Sequence, residues 1–257
     1  MHWGVKTALA IGALTAVGLL CFLGVKLAGP IMQAAREAAI TADCEKNLIR
    51  IGQAIDEYYD ANGHYPPAVI RDDNGKPMHS WRVLILPFLG PEAQETYAKY
   101  DMTKPWDAVE NQQCLLEIPP EFRCSADTSL VNDETSYLAV VGDRTIINET
   151  GETVRSGSGV LVLTDQPSET MVVVEVVNCG VVWLEPLDIP ATTLRAGLNS
   201  PNARGPASLH SQGVNTLMAD GNVIRLPDET TAEELQGMST IDGDEYIPVL
   251  DDILFDN

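Results

Sequence analysis

The chain has 257 residues, of which 37 are Asp or Glu and 16 are Lys or Arg, so its formal net charge is -21. Such an excess of negative charge repels nucleic-acid phosphates and anionic lipid surfaces, which excludes nucleic-acid binding as a leading function. The chain beyond residue 30 is long enough for one domain with a substantial hydrophobic core.

An uncharged apolar segment, Thr7 to Val25, lies near the start of the chain. At about 1.5 Å of rise per residue, a helix of this length nearly crosses a ~30 Å hydrocarbon core. A cleaved secretory signal is the rival interpretation, but the segment is longer than a usual signal core and no clear small-x-small site follows it. We therefore expect residues 1–29 to be an uncleaved transmembrane anchor in contact with membrane lipid.

A second helical segment follows Gly29-Pro30, where we expect a kink or an interruption, and ends at Asn62-Gly63. Its apolar residues recur at steps of three and four and form one stripe: Leu48, Ile51, Ile55 and Tyr58. The sequence thus predicts one long N-terminal helix, with a membrane half and an amphipathic half that packs against a domain.

Short elements make up the rest of the chain. Ser80 is placed to cap a helix in "WRVLILPFL", "PEAQETYAKYD" predicts another, and Thr231 with Glu234 has the spacing of a capping box. From residue 136 the β-branched runs "SYLAVV", "GVLVLT", "TMVVVEVV" and "GVVWLE" predict an antiparallel sheet, and therefore an α+β fold. "GVNTLMA" and "VIRL", joined by Asp220-Gly221-Asn222, predict a hairpin.

His210 and Asp220 are residue types that could form a catalytic dyad, but nine residues separate them. In an extended strand they lie up to ~33 Å apart, so a direct dyad within one chain is improbable. We expect a structural role instead: Asp220-Gly221 forms a tight turn that needs positive φ, and His210 makes a hydrogen bond at the start of the strand.

Five cysteines are present, and Cys21 lies inside the apolar segment. The other four, Cys44, Cys114, Cys124 and Cys179, have no C-x-x-C spacing, so a zinc site is not expected. One or two disulfides are plausible if the domain lies outside the cytoplasm, and all three pairings of the four cysteines stay open.

Three carboxylates near the predicted sheet are candidate metal ligands: Glu175, Glu185 and Asp188. Glu175 is flanked by valines, so its buried charge needs a partner such as Arg82, a cation, or a raised pKa. Glu185 and Asp188 near His210 could bind calcium, but salt-bridged structure is favoured because calcium sites usually have denser acidic clusters. We therefore expect neither a metal nor another cofactor.

Several segments, in this order, resemble one bacterial family: "QAAREAA", "CEKNLIRIGQAIDEYYDANGHYPPA", "SWRVLILPFL", "KPWD", "FRCSAD", "TSYLAVVG" and the final H-x(9)-DG. That family has no known function, a type IV pilin-like N-terminal helix and the H-x(9)-DG ending as its hallmark. The resemblance runs from about Ile31 to "STIDGDE". It implies the layout of type II secretion pseudopilins, in which the long helix packs on an antiparallel sheet outside the inner membrane; some pseudopilins also carry calcium.

These observations lead us to expect a non-enzymatic, single-pass inner-membrane protein with an anchor at residues 1–29 and an extracytoplasmic pilin-like domain at residues 30–257. Its role would be secretion or cell-surface assembly through contacts with envelope or secretion-system proteins. The alternative is a tethered glycan- or solute-binding module that uses exposed tryptophans. A metal-assisted hydrolase would require the convergence of several of five side chains: Glu175, Glu185, Asp188, His210 and Asp220.

The N-terminus differs from those of the pilin-type precursors that the chain otherwise resembles. Such precursors usually have a short basic leader, a Gly-Phe junction and a Glu five residues into the mature helix. Here Val5 follows Gly4, and no acidic residue occurs from Val5 to Ala35. We predict that the N-terminal helix is retained, which intact-mass measurement of the membrane-extracted protein will check. A mature chain that starts at Val5 with a methylated amine would contradict the prediction.

Overall fold

A computed structural model describes residues 2–127, 133–151, 153–154, 161–162, 166–200, 205–211, 213–242 and 247–255. Within these ranges the side chains of residues 2–25, 27, 153–154, 161–162, 251–252 and 254–255 are not described. The chain divides into two compact units, Met1–Ala42 and Asp43–Asn257.

The first unit is helical. Helix α1, His2–Asn62, begins in it and continues into the second unit. The helix is continuous through Pro30, so the prediction of one long N-terminal helix is confirmed and Pro30 does not interrupt it. One proline removes a single backbone hydrogen bond, and the good helix formers on both sides maintain the helix.

Side chains between residues 26 and 40 are mostly exposed, and Ile31 and Met32 each expose 70% of their surface. Within the part of the chain whose side chains the structure describes, no helix is both long enough and apolar enough to cross a membrane. The expected anchor, Thr7 to Val25, lies outside those described side chains.

The second unit contains the remaining elements. Its further helices are α2 (Trp81–Leu84), α3 (Pro91–Lys99), α4 (Val109–Gln112), α5 (Ala232–Gly237) and α6 (Pro248–Phe255). Its strands are β1 (Val69–Arg71), β2 (Pro77–Ser80), β3 (Tyr137–Val141), β4 (Thr153–Val154), β5 (Leu161–Val162), β6 (Met171–Glu175), β7 (Ile189–Pro190), β8 (Val214–Met218) and β9 (Val223–Leu226).

The main sheet has five strands in the order β7-β3-β6-β8-β9, with β6 at the centre. Neighbouring strands run antiparallel except β7, which is parallel to β3 and pairs Val140 with Ile189. The sheet is therefore mixed, and the expectation of a purely antiparallel sheet is wrong. The predicted strand "GVVWLE" is also wrong: Val182 forms only an isolated bridge with Glu134, and the following residues turn.

Both faces of this sheet are buried. Tyr137 and Ala139 of β3 join a core with Leu48 and Ile51 of α1, whereas Leu138 and Val140 join a second core with residues of α5. The apolar stripe predicted for α1 is confirmed, with Leu48 and Ile51 fully buried. A Cβ added at Gly52 would lie 2.9 Å from Leu217, so this glycine permits close contact between α1 and β8.

Local signals in the sequence predicted the caps and the last hairpin correctly. The Ser80 hydroxyl accepts a hydrogen bond from the Arg82 amide at 3.2 Å, and Thr231 with Glu234 forms a complete capping box. The strands β8 and β9 pair antiparallel around the turn at Asp220-Gly221.

Gly213 immediately precedes β8 and has φ +126°, and a Cβ there would collide with the carbonyl of Leu226 on β9. We predict that Gly213→Ala lowers the free energy of unfolding by about 3 kcal/mol or more, because backbone strain and a backbone clash combine. Gly180→Ala is the control: its φ is +65° with open space around the Cβ, so only ~1 kcal/mol is expected. Urea unfolding followed by tryptophan fluorescence compares the two, and equal losses would contradict the prediction.

Candidate functional site

Glu175 ends the central strand β6 with its side chain only 1% exposed. One carboxylate oxygen, Oε2, accepts hydrogen bonds from the Ser208 hydroxyl and the Asn215 amide, both at 3.1 Å. The Glu175 carbonyl accepts a third hydrogen bond from the Ala207 amide at 3.0 Å. The strand end therefore holds the segment 207–210 against the sheet.

The other carboxylate oxygen of Glu175, Oε1, lies 3.2 Å from Nε2 of His210. That distance suits an ion pair, yet the atoms are not aligned for a hydrogen bond, and Oε1 has no hydrogen-bond partner among the described residues. We give the alignment more weight than the distance, because a hydrogen bond weakens steeply when its angle is poor. A buried carboxylate oxygen without a hydrogen bond is rare and calls for an explanation.

Nε2 of His210 also lies 3.2 Å from Sγ of Cys124. Cys124 forms a disulfide with Cys44 of α1, a separation of 80 residues, which selects one of the pairings that the sequence left open. Cys114 and Cys179 do not take part in a disulfide. His210, the histidine of the H-x(9)-DG ending, thus contacts the disulfide as well as Glu175.

Tyr137 on β3 lies opposite Glu175 and donates a hydrogen bond from its hydroxyl to the Cys44 carbonyl at 3.2 Å. Burial, together with the Glu175 charge, raises the pKa of Tyr137 above its usual value. The hydroxyl therefore stays protonated and keeps its role as a donor to α1.

The arrangement is not that of a catalytic triad. In a triad the carboxylate holds one ring nitrogen of histidine while the other nitrogen faces the nucleophile. Here Cys124 Sγ and Glu175 Oε1 both lie beside the same nitrogen of His210. Donor atoms of Cys44, Cys124, Glu175 and His210 all lie within 4.8 Å of one another, and we call these four residues the CCEH cluster.

Asp220 and Gly221 lie apart from this cluster, beyond the far end of β8. The Asp220 carboxylate accepts a hydrogen bond from the Asn222 amide at 2.9 Å, and Gly221 has φ +84°. The structure therefore places His210 and Asp220 at opposite ends of one strand, as the spacing predicts.

Asp188 is the buried partner of Arg82, with Nη1 donating to Oδ1 at 2.8 Å. Arg82, one of the partners considered for Glu175, therefore pairs with Asp188 instead. The guanidinium is occupied elsewhere, because it also donates to the carbonyls of Trp183 at 2.9 Å and Glu185 at 2.6 Å. Of the five residues considered for a hydrolase, the structure brings only Glu175 and His210 together.

A surface groove of about 540 Å³ is lined by α1, α3 and the segment around Pro120. Its lining contains one aromatic side chain, Phe88, and its charged groups include Glu57, Glu92 and the ion pair of Arg50 with Glu121 at 3.0 Å. Trp81 and Trp183 are fully buried and belong to the core, as expected.

Sequence reasoning missed Cys44 and Cys124 as members of the site. They are 80 residues apart, and His210 is another 86 residues beyond Cys124, so no short spacing links them. One feature of the sequence did indicate that a buried polar site was present: the single charged residue, Glu175, within a valine-rich strand.

We predict that Asp188→Asn lowers the free energy of unfolding by about 3–5 kcal/mol, because it leaves the fully buried Arg82 charge without its counter-ion. The matched control is Asp242→Asn. Asp242 accepts from Arg144 Nε at 2.7 Å, but this pair is exposed, so a loss of at most ~1 kcal/mol is expected. Urea unfolding of both variants checks the difference, and a loss below 1 kcal/mol for Asp188→Asn would contradict it.

Comparison with known proteins gives one match. Residues 33–173, more than half of the 257 residues, match the model of a family described as a protein of unknown function (DUF1559). No curated protein matches the chain, and no solved structure does. The matched part includes Cys44, Arg82 and Cys124, whereas Glu175 and His210 lie beyond it. The chain belongs to the DUF1559 family.

Proposed function

We propose that this protein is a non-enzymatic, pilin-like assembly protein, anchored in the inner membrane by its N-terminal helix with its folded body on the extracytoplasmic side. Its function is to contact envelope or secretion-system proteins. The observation that carries the proposal is the contrast along α1 between side chains buried in the core from Cys44 onward and exposed side chains before it.

The buried part of α1 supports the pilin-like comparison. Leu48, Ile51 and Ile55 pack in one core with side chains of β3 and β8, so the helix serves as a structural layer of the folded unit. A helix that covers a sheet in this way is the layout that the pseudopilin resemblance implies. The uncharged segment Thr7 to Val25 supplies the apolar length that an anchor needs.

The exposed part of α1 offers a contact surface. Ile31 and Met32 are neighbouring apolar side chains that each expose 70% of their surface, just beyond the expected anchor. Adjacent exposed apolar side chains are suited to protein-protein contact when a partner covers them. The Cys44–Cys124 disulfide agrees with an extracytoplasmic body, because structural disulfides persist in oxidising compartments.

A glycan-binding module receives less support. Sugar-binding sites depend on exposed aromatic faces, whereas Trp81 and Trp183 are fully buried and the groove has Phe88 as its one aromatic residue. The carboxylates around that groove favour contacts with a polar or basic protein surface.

Site-specific photo-crosslinking in the native membrane tests the proposal. A photoreactive residue at position 31 or 32 is compared with one at Val109, an apolar residue of α4 that is 75% exposed. We expect positions 31 and 32 to crosslink to envelope or secretion-system proteins several times more strongly than position 109. The protein should also remain in the membrane fraction after a carbonate wash. No specific crosslinked partner at positions 31 and 32, or release from the membrane, would refute the proposal.

A further inference from the structure

We infer that the CCEH cluster is a concealed zinc site: when the Cys44–Cys124 disulfide is reduced, the two thiolates, His210 Nε2 and Glu175 Oε1 bind one Zn²⁺ ion. This inference goes beyond the proposed assembly function and does not depend on it. The buried Oε1 atom, which has no hydrogen bond among the described residues and lies 3.2 Å from His210 Nε2, is the observation that supports the inference, because it is a carboxylate oxygen that can bind a cation once the sulfurs are reduced.

The distances suit a tetrahedral zinc ion. Zn–N and Zn–O bonds of about 2.0–2.2 Å and Zn–S bonds of about 2.3 Å place neighbouring ligand atoms ~3.3–3.8 Å apart. In the structure, His210 Nε2 lies 3.2 Å from both Cys124 Sγ and Glu175 Oε1. All four donor atoms lie within 4.8 Å of one another, and reduction of the disulfide frees both sulfurs to act as ligands.

The atoms around the ligands also suit a metal site. Ligating carboxylates are usually held by outer hydrogen bonds, and Glu175 Oε2 is held by Ser208 and Asn215, which leaves Oε1 for the ion. The Ser208 hydroxyl in addition accepts a hydrogen bond from the His210 amide at 3.0 Å. One hydroxyl thus fixes both the carboxylate ligand and the backbone of the histidine ligand.

Charge explains why the site depends on the state of the cysteines. With the disulfide intact, the sulfurs carry no charge and the only anion of the cluster is Glu175. After reduction and loss of both thiol protons, two thiolates and one carboxylate share a buried space, which is unfavourable without a cation. A divalent ion reduces that charge from -3 to -1, and zinc accepts sulfur, nitrogen and oxygen ligands together.

The histidine ligand lies close to the protein surface. His210 itself is 7% exposed, but the adjacent Leu209 is 53% exposed and Ser211 is exposed. The cluster is therefore buried but lies next to residues that contact solvent.

The two states interconvert by balanced steps. A dithiol reductant transfers two electrons and two protons to the disulfide, which yields the Cys44 and Cys124 thiols and a disulfide in the reductant. Zn²⁺ then displaces the two thiol protons, which are released to solvent. The disulfide and the zinc site exclude each other because both use the same two sulfur atoms.

Metal titration of the full-length protein in detergent tests the inference. The protein is reduced with a phosphine, freed of reductant without oxygen, and titrated with Co²⁺, whose thiolate charge-transfer and tetrahedral d–d absorption report the ligands. We expect one Co²⁺ per reduced chain, displaced by Zn²⁺, and none for the oxidised chain. Competition with a chromophoric chelator then gives the Kd for Zn²⁺.

Variants separate the site from chance binding by thiols. Cys124→Ser, His210→Asn and Glu175→Gln should each weaken Zn²⁺ binding by a hundredfold or more, exceeding the ~10–100-fold cost of losing an outer-shell partner. Cys179→Ser removes a thiol that lies outside the cluster and forms no disulfide, and it should leave the Kd unchanged within about twofold. Circular dichroism confirms that each compared sample is folded.

Three outcomes would overturn the inference: no Co²⁺ bound by the reduced, folded wild type; equal binding by the oxidised protein; or undiminished binding after both His210→Asn and Glu175→Gln. The wild-type comparison decides the question even if a variant fails to fold. None of these outcomes bears on the crosslinking at positions 31 and 32, so the assembly proposal stands or falls separately.

Discussion

A single buried carboxylate, Glu175, constrains the folded unit. It ends the central strand at 1% exposure, where an uncompensated charge is unfavourable, so polar groups must come to it from elsewhere in the chain. Ser208 and Asn215 hydrogen-bond to one of its oxygens, and His210 lies beside the other. These contacts fix where the covering segment meets the sheet and where β8 begins, and they place His210 against the disulfide that joins α1 to the body.

Interactions close in sequence could be predicted, and distant ones could not. The apolar stripe of α1, the Ser80 cap and the Asp220-Gly221 turn each depend on residues within a few positions of one another, so the pattern alone was sufficient. The sequence could not identify Asp188 as the partner of Arg82, because the two residues are 106 positions apart and Glu175 was also considered as a carboxylate that Arg82 could pair with. The parallel strand β7 was not predicted, because a strand of two residues is too short to show the alternation of apolar and polar residues. For the candidate site, the sequence indicated Glu175 and His210 but not the cysteines beside them.

The matched family segment is structurally incomplete without the residues that follow it. Arg82 and Cys124 lie within residues 33–173, whereas their partners Asp188 and His210 lie beyond. Strands β8 and β9 also come after the match, although β8 pairs directly with the central strand β6. The core that buries α1 is therefore assembled from both parts of the chain, and the H-x(9)-DG ending supplies one side of the sheet.

The position of the Cys44–Cys124 bond has a mechanical consequence. Cys44 is the second residue of the compact unit, which begins at Asp43, so a covalent link joins helix and body almost where the helix enters the fold. Tension drawn along α1 reaches this crosslink before it reaches Leu48 or Ile51, and the load passes into the segment around Cys124. The helix therefore cannot separate from the sheet at its N-terminal side unless the segment around Cys124 moves with it, whereas in the reduced protein only noncovalent contacts resist this separation.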